Sequence, residues 1–348
     1  MNSVLIFKFI LVQAAAYVAT ALLVPLNIKL AWKTGLVSIP NERSIHSVPT
    51  PTAGGLSFGL VIVLMQLYIG IVRYSAGYGN ALIRLALISI PLLAFGVFDD
   101  KGHSRVRYKL AGQIIITLLM FFAGYRVTYL TNPLGDHFLL GWLSLPVTLI
   151  WFLLVMNAVN LIDGLDGLAS GLACIVSLVL AVIGLISGNA LVLALTAILF
   201  GSNLAFLRYN FYPAKIFMGD TGSLLIGLNI AAISTAGTST FKGITTMTMM
   251  VPVIVLAVPL IDTCLAVFRR IGKGSIFRPD KAHLHHYLLK LGLSQSTIAL
   301  IVYFLTFLFG LAAIGFSFTS HKVLFSLVVM LMAVLIVISY YLMHRGHK

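Results

Sequence analysis

Between Asp166 and Arg208 the chain carries no Asp, Glu, Lys or Arg. A run of that length holds two consecutive membrane helices of about 20 residues each, and comparable apolar runs recur along the whole sequence. Within each run the apolar residues are continuous instead of alternating, which points to helices and away from a β-barrel. Of the 348 residues, 60% are hydrophobic and 9% charged, and the mean hydropathy is +1.05. That is more apolar surface than a water-soluble domain can hide. The expectation is an all-α polytopic membrane protein, one integral membrane domain over residues 1–348 with about eleven spans. The first six are placed near Val4–Ile28, Gly54–Val72, Ala81–Phe98, Leu110–Tyr125, Leu143–Val159 and Leu168–Ile186. The others lie near Ala190–Leu207, Ser223–Ala236, Thr245–Phe268, Ser296–Phe316 and Val323–Met343. The first run is too long for a signal-peptide core, despite Ala14-Ala15-Ala16, and reads as a retained span. The run from Ser223 is short and contains glycine, a pattern open to a tilted, broken or partly re-entrant segment.

The net charge of +14 would suggest nucleic acid in a soluble protein. Here positive-inside topology accounts for it, and no nucleic-acid partner is expected. Most of the 23 Lys and Arg residues fall in one alternating set of loops and span ends, leaving Lys8, Arg73, Arg84, Arg126, Lys242 and Lys322 on or near the other side. The rich side is read as cytoplasmic, with the N-terminus outside and the C-terminus cytoplasmic. Cys174 and Cys264 both lie in apolar runs, with neither a disulfide framework nor metal-ligand spacing. The acids are more informative. Glu42, Asp99, Asp100, Asp163, Asp166, Asp220, Asp262 and Asp280 all fall on the cytoplasmic side or at span ends facing it, and only Asp136 lies outside. Topology rules place Lys and Arg but not Asp and Glu. A shared site explains the gathering.

Five motifs carry those acids and their neighbours. In "FGVFDDKGHSRVRYK", Asp99 and Asp100 end a span at the dipole end that disfavours anions, and adjacent like charges repel. They call for a compensating cation, either a metal or the run Lys101, Arg105, Arg107 and Lys109; a solvated pair in a loop is the plainer alternative. In "NAVNLIDGLDGLASG", Asn157, Asn160, Asp163 and Asp166 crowd together before the next span. Helix capping would use one carboxylate and leaves the other, and both amides, without a purpose. In "FMGDTGS", Phe217 precedes Asp220, a candidate N-cap, and Gly222, whose N–H could face phosphate, but no P-loop lysine follows. In "RPDKAHLHHYLLKLGLS", His283, His285 and His286 lack zincin spacing and have no cysteine nearby. Beside Arg278 and Lys281 they suit phosphate oxygens, or else form an idle exposed cluster. In "NERSIHSVPTPTAGG", Arg43 and His46 could reach the same surface, while the prolines and glycines suit a stiff turn with a flexible entry to span two, or a plain loop.

In this order and between these spans, the motifs resemble the polyprenyl-phosphate N-acetylhexosamine-1-phosphate transferase family, over about Arg43 to Leu293. That family includes enzymes that start enterobacterial common antigen, O-antigen and teichoic acid, and the peptidoglycan phospho-N-acetylmuramoyl-pentapeptide translocase. The resemblance implies UDP-sugar plus undecaprenyl phosphate giving undecaprenyl-diphosphate-sugar plus UMP, with Mg²⁺ (or Mn²⁺). The enzyme would work at the cytoplasmic face of a bacterial inner membrane. It further implies Asp220 as metal ligand, with Asp99 and Asp100 near the metal and the lipid phosphate. Asn160, Asp163 and Asp166, with Asn157 beside them, would engage the nucleotide, and Phe217 would stack on uracil. His283, His285, His286 and Arg269 would bind diphosphate oxygens. The peptidoglycan branch has three consecutive histidines where this chain reads "HLHH", which favours UDP-N-acetylglucosamine; Tyr287 stands where close relatives often carry Arg. The oligomeric state stays open, a homodimer included. The competing class, a transporter, would place ionisable groups at mid-span, and Asp262 is the residue that fits it.

Overall fold

The structure is a computed structural model that describes residues 3–40, 46–102, 106–131, 137–236, 256–257, 260–261, 263, 288–289 and 291–315. Nine α-helices dominate the described residues. They are α1 (Ser3–Thr34), α2 (Gly55–Val72), α3 (Gly79–Asp100), α4 (Val106–Phe122), α5 (Ser144–Ile162), α6 (Leu168–Ser187), α7 (Ala190–Asn210), α8 (Gly219–Ala236) and α9 (Gln295–Gly315). Two short antiparallel hairpins interrupt them, β1 (Val37–Ser38) with β2 (Thr50–Pro51), and β3 (Tyr129–Thr131) with β4 (His137–Leu139). Seven of these helices are long and apolar enough to cross a membrane; α4 and α8 are not among them. The spans expected at Thr245–Phe268 and Val323–Met343 lie largely or wholly outside the described residues.

Helix α8 organises the bundle. Every residue from Thr221 to Ala236 is buried, and the helix packs against α2, α3, α5, α6 and α7. The short, glycine-containing run that left a tilted, broken or re-entrant span open instead belongs to an unbroken helix enclosed by protein. Its polar groups find partners in neighbouring helices: Asn229 Oδ1 accepts from Gln66 Nε2 at 2.7 Å, and Ser234 Oγ accepts from Trp151 Nε1 at 2.8 Å. Such pairing is required where no water reaches. By contrast α1 exposes Phe7, Leu11, Leu22 and Leu26, an apolar face suited to lipid.

Close approach of backbones sets the site-bearing end. A Cβ on Gly55 of α2 would run into the backbone of Gly222 and Thr221, so the two helices touch where both lack side chains. Around that contact Gly54 N–H donates to Phe217 O and Gly55 N–H to Met218 O, each at 2.9 Å, and Phe217 N–H donates to Pro51 O at 2.8 Å. Pro51, Gly54 and Gly55 thus form a fixed backbone seam with the Phe217 loop instead of a flexible entry, and Gly222 serves packing. Asn27 of α1 secures the same segment by donating to Ala53 O at 3.1 Å.

Candidate active site

Helices α1 to α8 alternate in direction, so the C-terminal ends of α3, α5 and α7 meet the N-terminal ends of α4, α6 and α8. Asp99, Asp100, Lys109, Asn160, Asp163, Asp166 and Asp220 all sit at that end. Most of them border a cavity of about 530 Å³ that also takes in Ser38, His46, Asn210, Phe217 and Gln295, a size suited to a small-molecule ligand.

One wall is an ionic cluster. The Lys109 ammonium, in the first turns of α4, lies 3.4 Å from Asp99 Oδ2 and in close contact with Asp220 Oδ2. It also donates to Asn160 Oδ1 at 3.2 Å. Asn160 Nδ2 in turn donates to Asp220 Oδ1 and to Ser223 Oγ at 2.8 Å. Helix α4 begins at Val106, ahead of the expected Leu110, and this early start places Lys109 on the helix. The cation that Asp99 calls for is therefore Lys109.

Asp100 solves its unfavourable position differently. Its Oδ1 accepts from Asp220 N–H at 2.7 Å, and its Oδ2 accepts from Thr221 N–H at 3.2 Å and from the Thr221 hydroxyl. The carboxylate that closes α3 thus caps the N-terminus of α8, where a helix dipole favours an anion. Asp220 does not cap its own helix. Gly219 takes φ +73, and a Cβ there would strike the Asp100 carboxylate, so glycine is required at this join.

The opposite wall is the turn between α5 and α6. Asp163 follows the last residue of α5, and the residue ahead of α6 is Gly167, in a left-handed conformation with no side-chain cap. Neither Asp163 nor Asp166 caps α6, and they do not share a helical face. Asp166 instead accepts from Ala214 N–H at 2.9 Å through Oδ2, tying the turn to the loop after α7. Burial, then the nearby carboxylates of Asp220, Asp100 and Asp166, push the Asp163 carboxyl well above its ordinary value. Burial also raises Asp166, against the lowering effects of Ala214 N–H and His46.

Phe217 and His46 meet edge to face, with ring centroids 4.9 Å apart and planes at 67°, and His46 Nε2 lies 3.4 Å from Ser38 Oγ. Three polar cavity residues, Ser38, Asn210 and Gln295, had no reading in the sequence. Asn210 Oδ1 accepts from Gly167 N–H at 3.2 Å and from Ser170 Oγ at 3.0 Å, while its Nδ2 donates to Ile216 O at 3.0 Å. Gln295 reaches the Asp166 backbone N–H through Oε1 at 3.5 Å. An amide closing an otherwise apolar run was the available signal for Asn210; Gln295 offered none.

Asn157 is not brought to the cavity. It faces α4, where its Nδ2 donates to Gln113 Oε1 at 2.8 Å, and it links two helices. Arg43, Asp262, Arg269, His283, His285 and His286 lie outside the described residues.

No group of three or more His, Cys, Asp or Glu side chains poised for a metal occurs among the described residues. Mg²⁺ is typically held by one or two carboxylates, with substrate phosphates supplying further oxygens. Asp99 and Asp220 already converge on one cation, the Lys109 ammonium, and this oxygen-donor pair fits a hard divalent ion of that kind.

A bundle of membrane-length helices with an acid-rich cavity at one end defines a polytopic membrane protein with a polar site built from helix ends. A family model described as glycosyl transferase family 4 matches residues 82–238. The chain is 39% identical over 295 residues, 84% of its length and 80% of the other protein's, to a probable undecaprenyl-phosphate N-acetylglucosaminyl 1-phosphate transferase of Bacillus subtilis. It is 36% identical to a decaprenyl-phosphate N-acetylglucosaminephosphotransferase of Mycobacterium leprae, over 83% of this chain and 78% of that protein. A phospho-N-acetylmuramoyl-pentapeptide-transferase of Caldicellulosiruptor bescii shares 35% identity over 76% of this chain and 82% of that protein. The chain belongs to glycosyl transferase family 4, among its polyprenyl-phosphate sugar-1-phosphate transferases.

Proposed function

We propose that this protein transfers N-acetylglucosamine 1-phosphate from UDP-N-acetylglucosamine to undecaprenyl phosphate at the cytoplasmic face of a bacterial inner membrane, and so starts a lipid-linked cell-surface glycan. An oxygen of the lipid phosphate attacks the β-phosphorus of the nucleotide sugar. The new P–O–P bond forms as the bond between the α- and β-phosphates breaks, and UMP leaves. The observation that carries this reading is the convergence of Asp100, Asn160, Asp163, Asp166 and Asp220 on one cavity at the helix ends, with Lys109 and Asp99 paired behind Asp220. At such a plane a dissolved nucleotide can meet a phosphate anchored in the bilayer. The names of the Bacillus and Mycobacterium relatives support the sugar and the acceptor class.

A phosphate monoester has a second pKa of about 6 and is mostly dianionic at neutral pH, so the acceptor needs little help from a base. Asp99 and Asp220 act as ligands and positioners. Asp99 and Asp220 would hold Mg²⁺, which when bound would supply positive charge to the phosphoryl group. Asn160 and Lys109 fix Asp220, and Asp100 acts through α8, whose first turn it holds. The Asp163–Asp166 turn, with Phe217 and His46 across the cavity, receives the nucleotide. Arg269, His283, His285 and His286 add donors for the diphosphate oxygens.

Purified protein is to be mixed with Mg²⁺, undecaprenyl phosphate and each of a panel of UDP-sugars, following UMP release. UDP-N-acetylglucosamine should be the best donor; preference for UDP-N-acetylmuramoyl-pentapeptide would move the protein to the peptidoglycan reaction, and silence with all donors would revive a transporter. Direct attack also predicts no exchange of labelled UMP into UDP-sugar without acceptor. Robust acceptor-free exchange would instead establish an aspartyl-phosphate intermediate.

A further inference from the structure

At the other end of α1, α2 and α7 lies a second cavity, of about 270 Å³. Its walls are apolar, among them Phe9, Tyr68, Val72 and Ala194, and it takes in two cations, Lys8 and Arg73. Helix α2 joins the two cavities: Gly55 packs at the active-site end and Arg73 follows the last turn at the other. Its 18 residues span about 27 Å at 1.5 Å per residue. That is close to the hydrocarbon thickness of a bilayer, about 30 Å, so the second cavity sits at the opposite membrane surface.

Charge makes this cavity unusual. The end of the molecule remote from the acids is the one with few basic residues, yet two of them border the same apolar cavity. Both Lys8 and Arg73 are exposed, and no carboxylate among the described residues pairs with either. Arg84, on the same side, is used differently: it donates to Ala123 O at 3.1 Å and joins α3 to the end of α4. The N-terminal turns of α1 and α7 border the cavity through Leu5 and Ala190, and helix dipoles add positive potential there. The outer flank is continuous with lipid-facing surface, since Leu11, Tyr68 and Val72 are all exposed.

We propose that this cavity binds one anionic phospholipid of the leaflet opposite the active site. Its headgroup phosphate lies between Lys8 and Arg73, and an acyl chain follows the apolar wall between α1, α2 and α7. A soluble anion would gain nothing from that wall, and a zwitterionic lipid, whose phosphate is already balanced by its own cation, gains less from the two basic side chains. The lipid secures α1, whose exposed apolar face leaves it the least enclosed of the long helices, against its neighbours.

The test uses the full-length protein in detergent, delipidated, with native mass spectrometry to count bound lipid. Phosphatidylglycerol is titrated against phosphatidylcholine in the wild type, in the double variant Lys8→Gln/Arg73→Gln, and in Arg126→Gln, a basic residue of the same side outside the cavity. The wild type should retain one phosphatidylglycerol with about a 30-fold preference over phosphatidylcholine, the effect of two basic groups at a membrane surface. The double variant should lose that preference and Arg126→Gln should keep it. Ala194→Phe fills the apolar wall and leaves both charges; it should lower retention of phosphatidylglycerol, which keeps the proposal testable if the double variant folds poorly. Equal lipid preference in wild type and double variant would overturn it, as would an equal loss in Arg126→Gln. Displacement of the lipid by millimolar inorganic phosphate would assign a free-anion site instead.

Discussion

The two acidic walls of the active-site cavity are built on opposite electrostatic plans. Around Asp220 every carboxylate has a counterpart: Lys109 for Asp99 and Asp220, and the first turn of α8 for Asp100. Across the cavity, Asp163 faces other carboxylates and burial, with no cation beside it among the described residues. The first wall is set by the fold before any ligand arrives. Burial raises the Asp163 carboxyl well above its ordinary value and also lifts Asp100 to about 6, so the walls differ in the partners the protein supplies and not in burial. A carboxyl that keeps its proton can donate a hydrogen bond to an anionic substrate. Acids gathered in one place are therefore not equivalent: Asp99, Asp100 and Asp220 meet partners supplied by the protein, and Asp163 meets no cation among the described residues.

The largest effect should come from breaking the matched wall. Lys109→Met removes the ammonium between Asp99 and Asp220 and should lower turnover about 1000-fold, the upper range for loss of one preorganised charge. Lys109→Arg should recover part of that rate; wild-type turnover in Lys109→Met, measured by UMP release, would show the cluster to be idle. Next, Asp163→Asn should cost about 100-fold in turnover. Its melting temperature in detergent should hold or rise, because a carboxyl crowded by like charges is removed. Equal losses of activity and stability would make the turn a structural element.

The contrast sharpens with pH. The folded pKa of Asp163 is raised above the ordinary 3.8, so the folded state binds more protons than the unfolded state across the interval between them. The stabilising neutral form is present at low pH and lost as pH rises through the folded value. Thermal stability of the substrate-free protein should therefore carry a downward contribution with rising pH in that window, which Asp163→Asn removes. An unchanged pH–stability curve in the variant would contradict the raised pKa. The smallest effect is expected at the rim, where Gln295→Ala should raise KM for the nucleotide sugar about threefold, as for one ordinary hydrogen bond.

Much of this was legible in the sequence. The positions of α2, α3, α6 and α7 follow from apolar runs, and the acids identify the site-bearing end because topology does not otherwise place Asp and Glu there. Pairing across the chain was not legible. The basic run after Asp100 offered four candidate cations, and among the described residues the early start of α4, together with packing against α3 and α5, brings Lys109 to the acids. Capping was misassigned for a related reason. Asp163, Asp166 and Asp220 each precede or open an apolar run, yet α6 starts at a left-handed glycine and α8 is capped by a carboxylate from 120 residues earlier in the chain. Asn157 and Asn160 look alike in sequence; one helical turn separates the amide bound to Gln113 from the amide bound to Asp220.

The central claim concerns which bond is broken, and the fate of the β-phosphate tests it most directly. UDP-N-acetylglucosamine labelled with ³²P at the β-position is incubated with the purified protein, Mg²⁺ and undecaprenyl phosphate, and the lipid and nucleotide fractions are separated. The account predicts label in the lipid fraction and unlabelled UMP in water. Label recovered as UDP would mean that the sugar moves without its phosphate, and would contradict it.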